Sequence, residues 1–234
     1  MKEQFVYSVG VDVAGRIIEV ASGLTLREYL RKNILLPLGM TDTDFVIDPK
    51  DSDRLARLYS PLTRTYQIPG VPKMYQQTNL IPDRLKNFGI EAEMYSGGAG
   101  LISTAADYAK LLNFLSKRSD DNPLRLSQQT FNLMLTDQLG DSLGQNLMVA
   151  GMGPTASNQV FSIGLGISLE GGELNPSKKP YDYLYWAGAY NTQFWIDQHN
   201  EVFGIFMSQI FPPMFRLTPE LEDVADAVLT GRAL

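Results

Sequence analysis

The order of helical and extended patterns along the 234 residues predicts an α+β fold with an antiparallel sheet. Helical periodicity dominates the first part of the chain, and segments rich in aromatic and β-branched residues dominate the last part. A helical pattern then closes the sequence. We therefore predict a mostly helical and loop subdomain over residues 1–157. Residues 158–234 are predicted to form antiparallel strands and a terminal helix.

The first predicted helix covers residues 6–22 and places four apolar side chains on one face: Val9, Val13, Ile17 and Val20. Asp12 stands one helical turn before Arg16, so we expect these two side chains to pair. Gly23 is a typical stop signal because glycine readily adopts the left-handed conformation at a helix end.

Three further helix starts carry capping residues. Thr25 with Glu28 is a capping-box pattern and opens the second helix. Thr104 caps a helix over about residues 104–117, and Ser127 caps a short helix that runs through Leu135. Between the second helix and Thr104, residues 41–95 contain several prolines and little periodicity, which predicts loops with short strands.

Four strands are predicted in the last part of the chain: Val160–Leu169, Tyr183–Ala187, Thr192–Asp197 and Val202–Gln209. Polar residues 198–200 predict a hairpin turn between the last two strands. Thr218 followed by Pro219 opens the terminal helix, over about residues 219–230.

The composition excludes several classes of function. A net charge of −6 argues against a nucleic-acid partner, and no apolar run is long enough to cross a membrane. The chain contains no cysteine, which excludes disulfides, thiolate catalysis and cysteine-based zinc sites. No apolar stretch of a signal peptide follows the first residues, so the cytoplasm is the favoured compartment, although the sequence does not determine it.

Candidate sites read from residue types alone are few. His199, the only histidine, falls in the predicted polar turn, which favours a structural role over a catalytic triad. Residues 97–100, Gly-Gly-Ala-Gly, either cradle an anion at a helix start or form a tight turn, and the turn is the favoured interpretation. Residues 41–44 lack the other ligands of a calcium loop. We therefore predict no cofactor and no metal site.

Five motifs in order resemble the serine β-lactamase-like superfamily, with the class C β-lactamase fold, and within it the family VIII carboxylesterases. They occupy residues 5–12, 37–43, 96–108, 161–168 and 186–209. The resemblance implies a β-lactamase/transpeptidase-like arrangement with an incomplete sheet. It also implies a serine hydrolase that cleaves carboxylic esters through an acyl-enzyme, with a small-molecule ester as its substrate.

The resemblance assigns roles to four residues. Tyr7 matches the tyrosine that takes the proton of the nucleophilic serine and passes it to the leaving alkoxide. Trp186 replaces the lysine of the Lys-Thr-Gly box and becomes an apolar wall of the substrate site, while Gly188 lets the substrate approach. The amide of Ala189 corresponds to an oxyanion-hole donor. Val9 stands where β-lactamases have asparagine, and this departure, like Trp186, favours an esterase.

The motif that would carry the nucleophile, Ser-x-x-Lys, occurs nowhere in the sequence. We therefore expect this chain to be a fragment that is inactive alone. The final strand would lack its neighbours, so we expect self-association or pairing with a missing N-terminal segment. Two alternatives stay open: a non-catalytic binding or scaffold chain of the same fold, and a relative of β-lactamases or D-Ala-D-Ala peptidases.

Overall fold

A computed structural model of the chain describes residues 6–61, 75–77, 94–116, 123–124, 126–139, 148–149, 153–154, 159–168 and 183–211, together with residues 224 and 227. The described helices are α1 (Gly10–Ser22), α2 (Leu26–Leu30), α3 (Ala105–Ser116) and α4 (Gln128–Met134). A π-helical turn, Arg31–Leu35, continues α2, and a 3₁₀ helix spans Pro49–Arg54.

The described strands fall into three sheets. The short strands β1 (Val6–Tyr7), β4 (Met148–Val149) and β5 (Gly153–Pro154) form one sheet, and β2 (Tyr59–Pro61) pairs with β3 (Tyr75–Gln77). The main sheet contains β6 (Gln159–Phe161), β7 (Gly166–Ser168), β8 (Tyr183–Ala187), β9 (Gln193–Asp197) and β10 (Val202–Phe206). Its order within the described residues is β10-β9-β8-β7-β6, and each neighbouring pair is antiparallel.

The main core lies between α3, α4 and one face of the main sheet. Leu112 and Leu115 of α3 are buried there with Ile196 of β9. Side chains alternate between the two faces of a strand. Leu184, paired with Ile196, therefore joins this core, whereas Tyr185, paired with Trp195, belongs to a second cluster.

Local capping signals are confirmed. Thr25 and Glu28 form both halves of the capping box, and Gly23 ends α1 with a φ of 71°. The Thr104 hydroxyl accepts a hydrogen bond from the Asp107 amide at the start of α3, and the Ser127 hydroxyl accepts one from Thr130. These signals succeed because each depends on residues a single turn apart.

Two predicted elements differ from the structure. Tyr7 does not begin a helix: it ends β1, which pairs in parallel with β4 far along the chain. The predicted single strand over Val160–Leu169 is a hairpin, because Ser162 and Leu165 close a turn in which Gly164 has a φ of 95°. The two glycines inside the apolar run, Gly164 and Gly166, did not mark that turn strongly enough.

The predicted α+β class with an antiparallel sheet is confirmed. The division at residues 157 and 158 stays a prediction. Of the predicted terminal helix, residues 224 and 227 are described and helical, and Ala227 is buried. The rest of that helix lies outside the described residues. No helix in the described segments is long and apolar enough to span a bilayer.

Candidate active site

The candidate site forms where β1 meets the main sheet. The Tyr7 ring lies 4.9 Å from the Trp186 ring and 5.8 Å from the Phe161 ring, measured between ring centroids. Phe161 and Trp186 are themselves 5.2 Å apart, so the three rings form a closed triangle. Such tilted and edge-on contacts stabilise aromatic groups beyond simple burial. Two predicted site residues, Tyr7 and Trp186, are thus brought together.

The position of Trp186 follows from strand periodicity. Trp186 pairs with Phe194 across β8 and β9, on the sheet face that packs against the helical core. Its neighbour Tyr185 lies on the opposite face. Phe161 reaches the same place from the end of β6. Phe161 was not predicted to be a site residue. The one sequence signal that could have indicated it is its place shortly before Gly164, the glycine of the hairpin turn.

The hydroxyl of Tyr7 lies in a half-buried environment. Burial raises the pKa of the Tyr7 phenol, the negative charge of Asp12 raises it further, and a hydrogen bond with the Trp186 side chain opposes these effects. The phenol is therefore protonated at neutral pH in this chain. A nearby cation would be needed to make Tyr7 a base.

The spacing of Asp12 and Arg16 predicted that the two side chains would pair, and this prediction is wrong. The carboxylate of Asp12 accepts hydrogen bonds from the Ser96 hydroxyl at 2.5 Å and from the Gly98 amide at 3.3 Å. Arg16 instead forms an exposed ion pair with Glu19. Hydrogen bonds to a partly buried carboxylate outweigh an ion pair in water, which explains the correction.

The glycine-rich segment is a tight turn packed on α1. A Cβ atom at Gly97 would lie 2.3 Å from the carbonyl oxygen of Val11, which leaves room for glycine alone. The Gly98 amide, which could have bound an external anion, is occupied by the Asp12 carboxylate. This packing favours the tight-turn interpretation of residues 97–100.

Gly188 and Ala189 follow Trp186 in the turn between β8 and β9. Gly188 donates its amide hydrogen to the Thr192 carbonyl at 2.7 Å, and the Asn191 amide donates to the Gly188 carbonyl. A Cβ atom at Gly188 would lie 2.4 Å from the Thr192 hydroxyl, so a larger residue here would require the Thr192 side chain to move. Ala189 is exposed. The oxyanion role of its amide stays a prediction.

The remaining candidates form contacts within the described part of the chain. His199 is exposed in the turn after β9, and its amide donates to the Asp197 carboxylate. Asp42 pairs with Arg54, and Asp44 with Arg27, so both carboxylates of residues 41–44 serve as ion-pair partners. Within the described residues, no group of three or more potential ligands could hold a metal ion.

An α+β scaffold with a half-buried tyrosine beside the end of a sheet strand fits the resemblance to the serine β-lactamase-like proteins. A family model described as Beta-lactamase matches residues 2–229. The chain therefore belongs to the β-lactamase family.

The chain is also similar in sequence to an acyltransferase and an esterase from fungi. It is 30% identical to the monacolin J acid methylbutanoyltransferase of Aspergillus terreus over 177 residues. This match covers 71% of this chain and 40% of that protein. It is 26% identical to the lovastatin esterase of Penicillium rubens, covering 90% of this chain and 51% of that protein. The chain thus spans about half the length of these relatives, or less.

The family model and solved structures confirm the predicted β-lactamase/transpeptidase-like fold. The unliganded selenomethionyl simvastatin synthase (LovD) from Aspergillus terreus superposes with a TM-score of 0.73 at 25% identity, covering 94% of this chain and 54% of that one. EstCE1, described as a hydrolase with promiscuous acyltransferase activity, gives a TM-score of 0.67 at 22% identity, covering 97% and 56%.

Proposed function

We propose that this chain supplies one half of a serine acyl-transfer site that cleaves carboxylic esters. The single observation that carries the proposal is the contact of Tyr7 with Trp186, at 4.9 Å between ring centroids. In this proposal Tyr7 moves the proton between the nucleophile and the leaving alkoxide. The amide of Ala189 would stabilise the oxyanion of the tetrahedral intermediate.

The electrostatics of Tyr7 support the view that the chain is inactive alone. Burial and the Asp12 charge raise the pKa of the phenol, and both effects oppose its use as a base. A lysine beside it would reverse this shift, and the family pattern places that lysine with the serine in Ser-x-x-Lys. The sequence lacks this motif. Activity would therefore require a second segment that brings both groups to Tyr7.

The strand end supports a neutral ester as substrate. Trp186 occupies the position where penicillin-recognising relatives carry a lysine that attracts a substrate carboxylate. The half-buried Trp186 ring, packed on the buried Phe161 ring, instead offers an apolar surface. The names of the relatives, an esterase and a methylbutanoyltransferase, support ester chemistry over β-lactam or peptide hydrolysis.

A second candidate is acyl transfer to an alcohol in place of water. The specific observation that favours it is the similarity to two methylbutanoyltransferases, at 30% and 31% identity. Both reactions pass through the same acyl-enzyme and differ in the acceptor that attacks it. Product analysis with and without an added alcohol distinguishes the two reactions.

The test is labelling with a fluorophosphonate probe followed by intact mass measurement. We expect no mass shift on the folded chain alone. When the chain is co-expressed with the uncovered part of the Aspergillus terreus relative, we expect labelling of the serine in that part and hydrolysis of p-nitrophenyl butyrate. Tyr7→Phe should lower this hydrolysis at least 100-fold. Labelling of the lone chain, or equal activity of Tyr7→Phe, would overturn the proposal and favour a scaffold role.

A further inference from the structure

We propose that the exposed apolar face of α1 is the docking surface for the half of the fold that this chain does not cover, the half that would carry the nucleophile. The surface is a stripe of four residues, called here the α1 stripe: Val9, Val13, Ile17 and Val20. This inference rests on the proposed function, because it identifies the partner that would complete the site.

Helix α1 has apolar residues on two sides, one of which packs on the rest of the chain. Gly15 faces the protein interior, where a Cβ atom would meet Leu26 at 2.9 Å. Val11 and Ile18 are half-buried on the same side. The opposite side carries the α1 stripe, while the charges of α1 are confined to Asp12, Arg16 and Glu19, and an apolar side of a helix normally packs against another element.

The exposure of the α1 stripe is large. Val9 is 65% exposed, Val13 54%, Ile17 61% and Val20 70%. Their spacing of three and four residues aligns them in one row. Arg16 is the charged residue on this side of α1, and it turns to Glu19. A contiguous apolar row of this kind marks an interface, unlike single exposed hydrophobic residues.

Two observations identify the polypeptide that would cover the α1 stripe: how much of a similar structure this chain covers, and where the stripe lies. The chain covers 54% of the similar simvastatin synthase structure, so the other part of that fold has no counterpart here. The stripe starts at Val9, directly after the strand that ends at Tyr7. A segment seated on α1 would thus lie beside Tyr7, where the proposed reaction needs a serine and a lysine.

A membrane fits the surface less well. The net charge of the chain is −6, and α1 carries Asp12 and Glu19 with a single cation, whereas interfacial helices are rich in basic residues. A second copy of the chain would cover the stripe but would bring no nucleophile. Self-association is therefore an outcome that the experiment must separate from docking.

The test uses the absence of cysteine from the sequence. Val13→Cys and Ile17→Cys place a thiol on the α1 stripe, and Ser52→Cys places one on the exposed 3₁₀ helix as a matched control. The rate of reaction with a thiol reagent is measured for the chain alone and co-purified with the uncovered part of the Aspergillus terreus relative. We expect at least tenfold slower labelling at both stripe positions in the complex and an unchanged rate at Ser52→Cys.

A second variant removes any dependence on labelling chemistry. Val13→Glu combined with Ile17→Glu should leave the circular dichroism of the lone chain unchanged, because both positions are exposed, yet should abolish co-purification. Unchanged labelling in the complex, or co-purification of the double variant, would overturn the docking surface. Slow labelling of the lone chain together with a dimeric mass would assign the stripe to a second copy. A complex that protects the stripe but does not hydrolyse esters would contradict only the proposed function.

Discussion

Helices α1 and α3 have similar amphipathic sequences but opposite surroundings. In α3, Leu112 is 0% exposed and Leu115 4%, because the main sheet covers them. In α1, Ile17 is 61% exposed and Val20 70%. The comparison teaches that a helical apolar pattern predicts a covered face without saying which polypeptide covers it. The partner of α3 lies in this chain, and we propose that the partner of α1 does not.

Truncation of one large side chain on each helix gives the largest expected contrast. Leu112→Ala should lower the free energy of unfolding by about 2–5 kcal/mol, because it opens a cavity in the main core. Ile17→Ala should change it by no more than about 0.5 kcal/mol, since the side chain is exposed. Urea unfolding measures both. A comparable loss for the two variants would mean that α1 is already covered in the lone chain.

The turn that packs on the inner side of α1 should tolerate an added side chain as poorly as the main core tolerates a cavity. Gly97→Ala should cost about 1–3 kcal/mol, because the added Cβ would collide with the Val11 carbonyl oxygen. Gly10→Ala is the matched control, with no heavy atom within 4 Å of the added Cβ. It should be neutral or stabilise the chain by up to about 1 kcal/mol. A neutral Gly97→Ala in thermal unfolding would refute the tight packing of this turn on α1.

The helix starts provide a smaller contrast. The Thr104 hydroxyl caps α3, whereas no side-chain hydrogen bond caps α1 at Val9. Thr104→Ala should cost about 1 kcal/mol, and Val9→Ala should have little effect on the lone chain. Chemical denaturation of the two variants checks this. Equal losses would show that Val9 contributes to packing in the free chain, against its 65% exposure.

The ion pairs give the smallest expected difference, and it depends on pH. Burial acts to raise the pKa of Asp44, but hydrogen bonds from the Arg27 guanidinium and the Phe45 amide hold it below its usual value. Because the pKa of Asp44 is lower in the folded state, its ionised carboxylate stabilises the fold above about pH 4. This stabilisation is lost as the pH falls through the folded-state pKa.

Asp44→Asn should therefore be less stable than the parent chain at pH 7, and the difference should shrink as the solution is acidified below about pH 4. Thermal unfolding across this range measures the effect. Arg16→Ala, which breaks the exposed pair on α1, is the control and should show no measurable change. A gap between Asp44→Asn and the parent that persists in acid would rule out the ion pair as its cause.

The sequence predicted the elements that depend on neighbours along the chain. The Thr25 cap, the Gly23 stop and strands β8 to β10 are of this kind. Features that join distant residues were missed. The strand at Tyr7 needs Val149 as its partner, and the carboxylate of Asp12 binds Ser96 instead of the nearby Arg16.

The candidate site shows the same limit. The resemblance pointed to Tyr7 and Trp186, whose rings lie 4.9 Å apart, and strand alternation explains which sheet face Trp186 lies on. Phe161 was not predicted, because its approach depends on the β6–β7 hairpin that the apolar run concealed. The sequence pattern of one segment does not predict which distant segment packs against it.

The two tryptophans of the chain sit in contrasting places, and this gives the protein built-in spectroscopic reporters. Trp195 is 3% exposed within the sheet, so its emission should be blue-shifted and protected from a soluble quencher such as acrylamide. Trp186 is half-buried beside Tyr7. Any ligand or polypeptide that closes over this ring should reduce its quenching while Trp195 stays constant as an internal reference. Fluorescence without an added dye could therefore report occupancy of the candidate site.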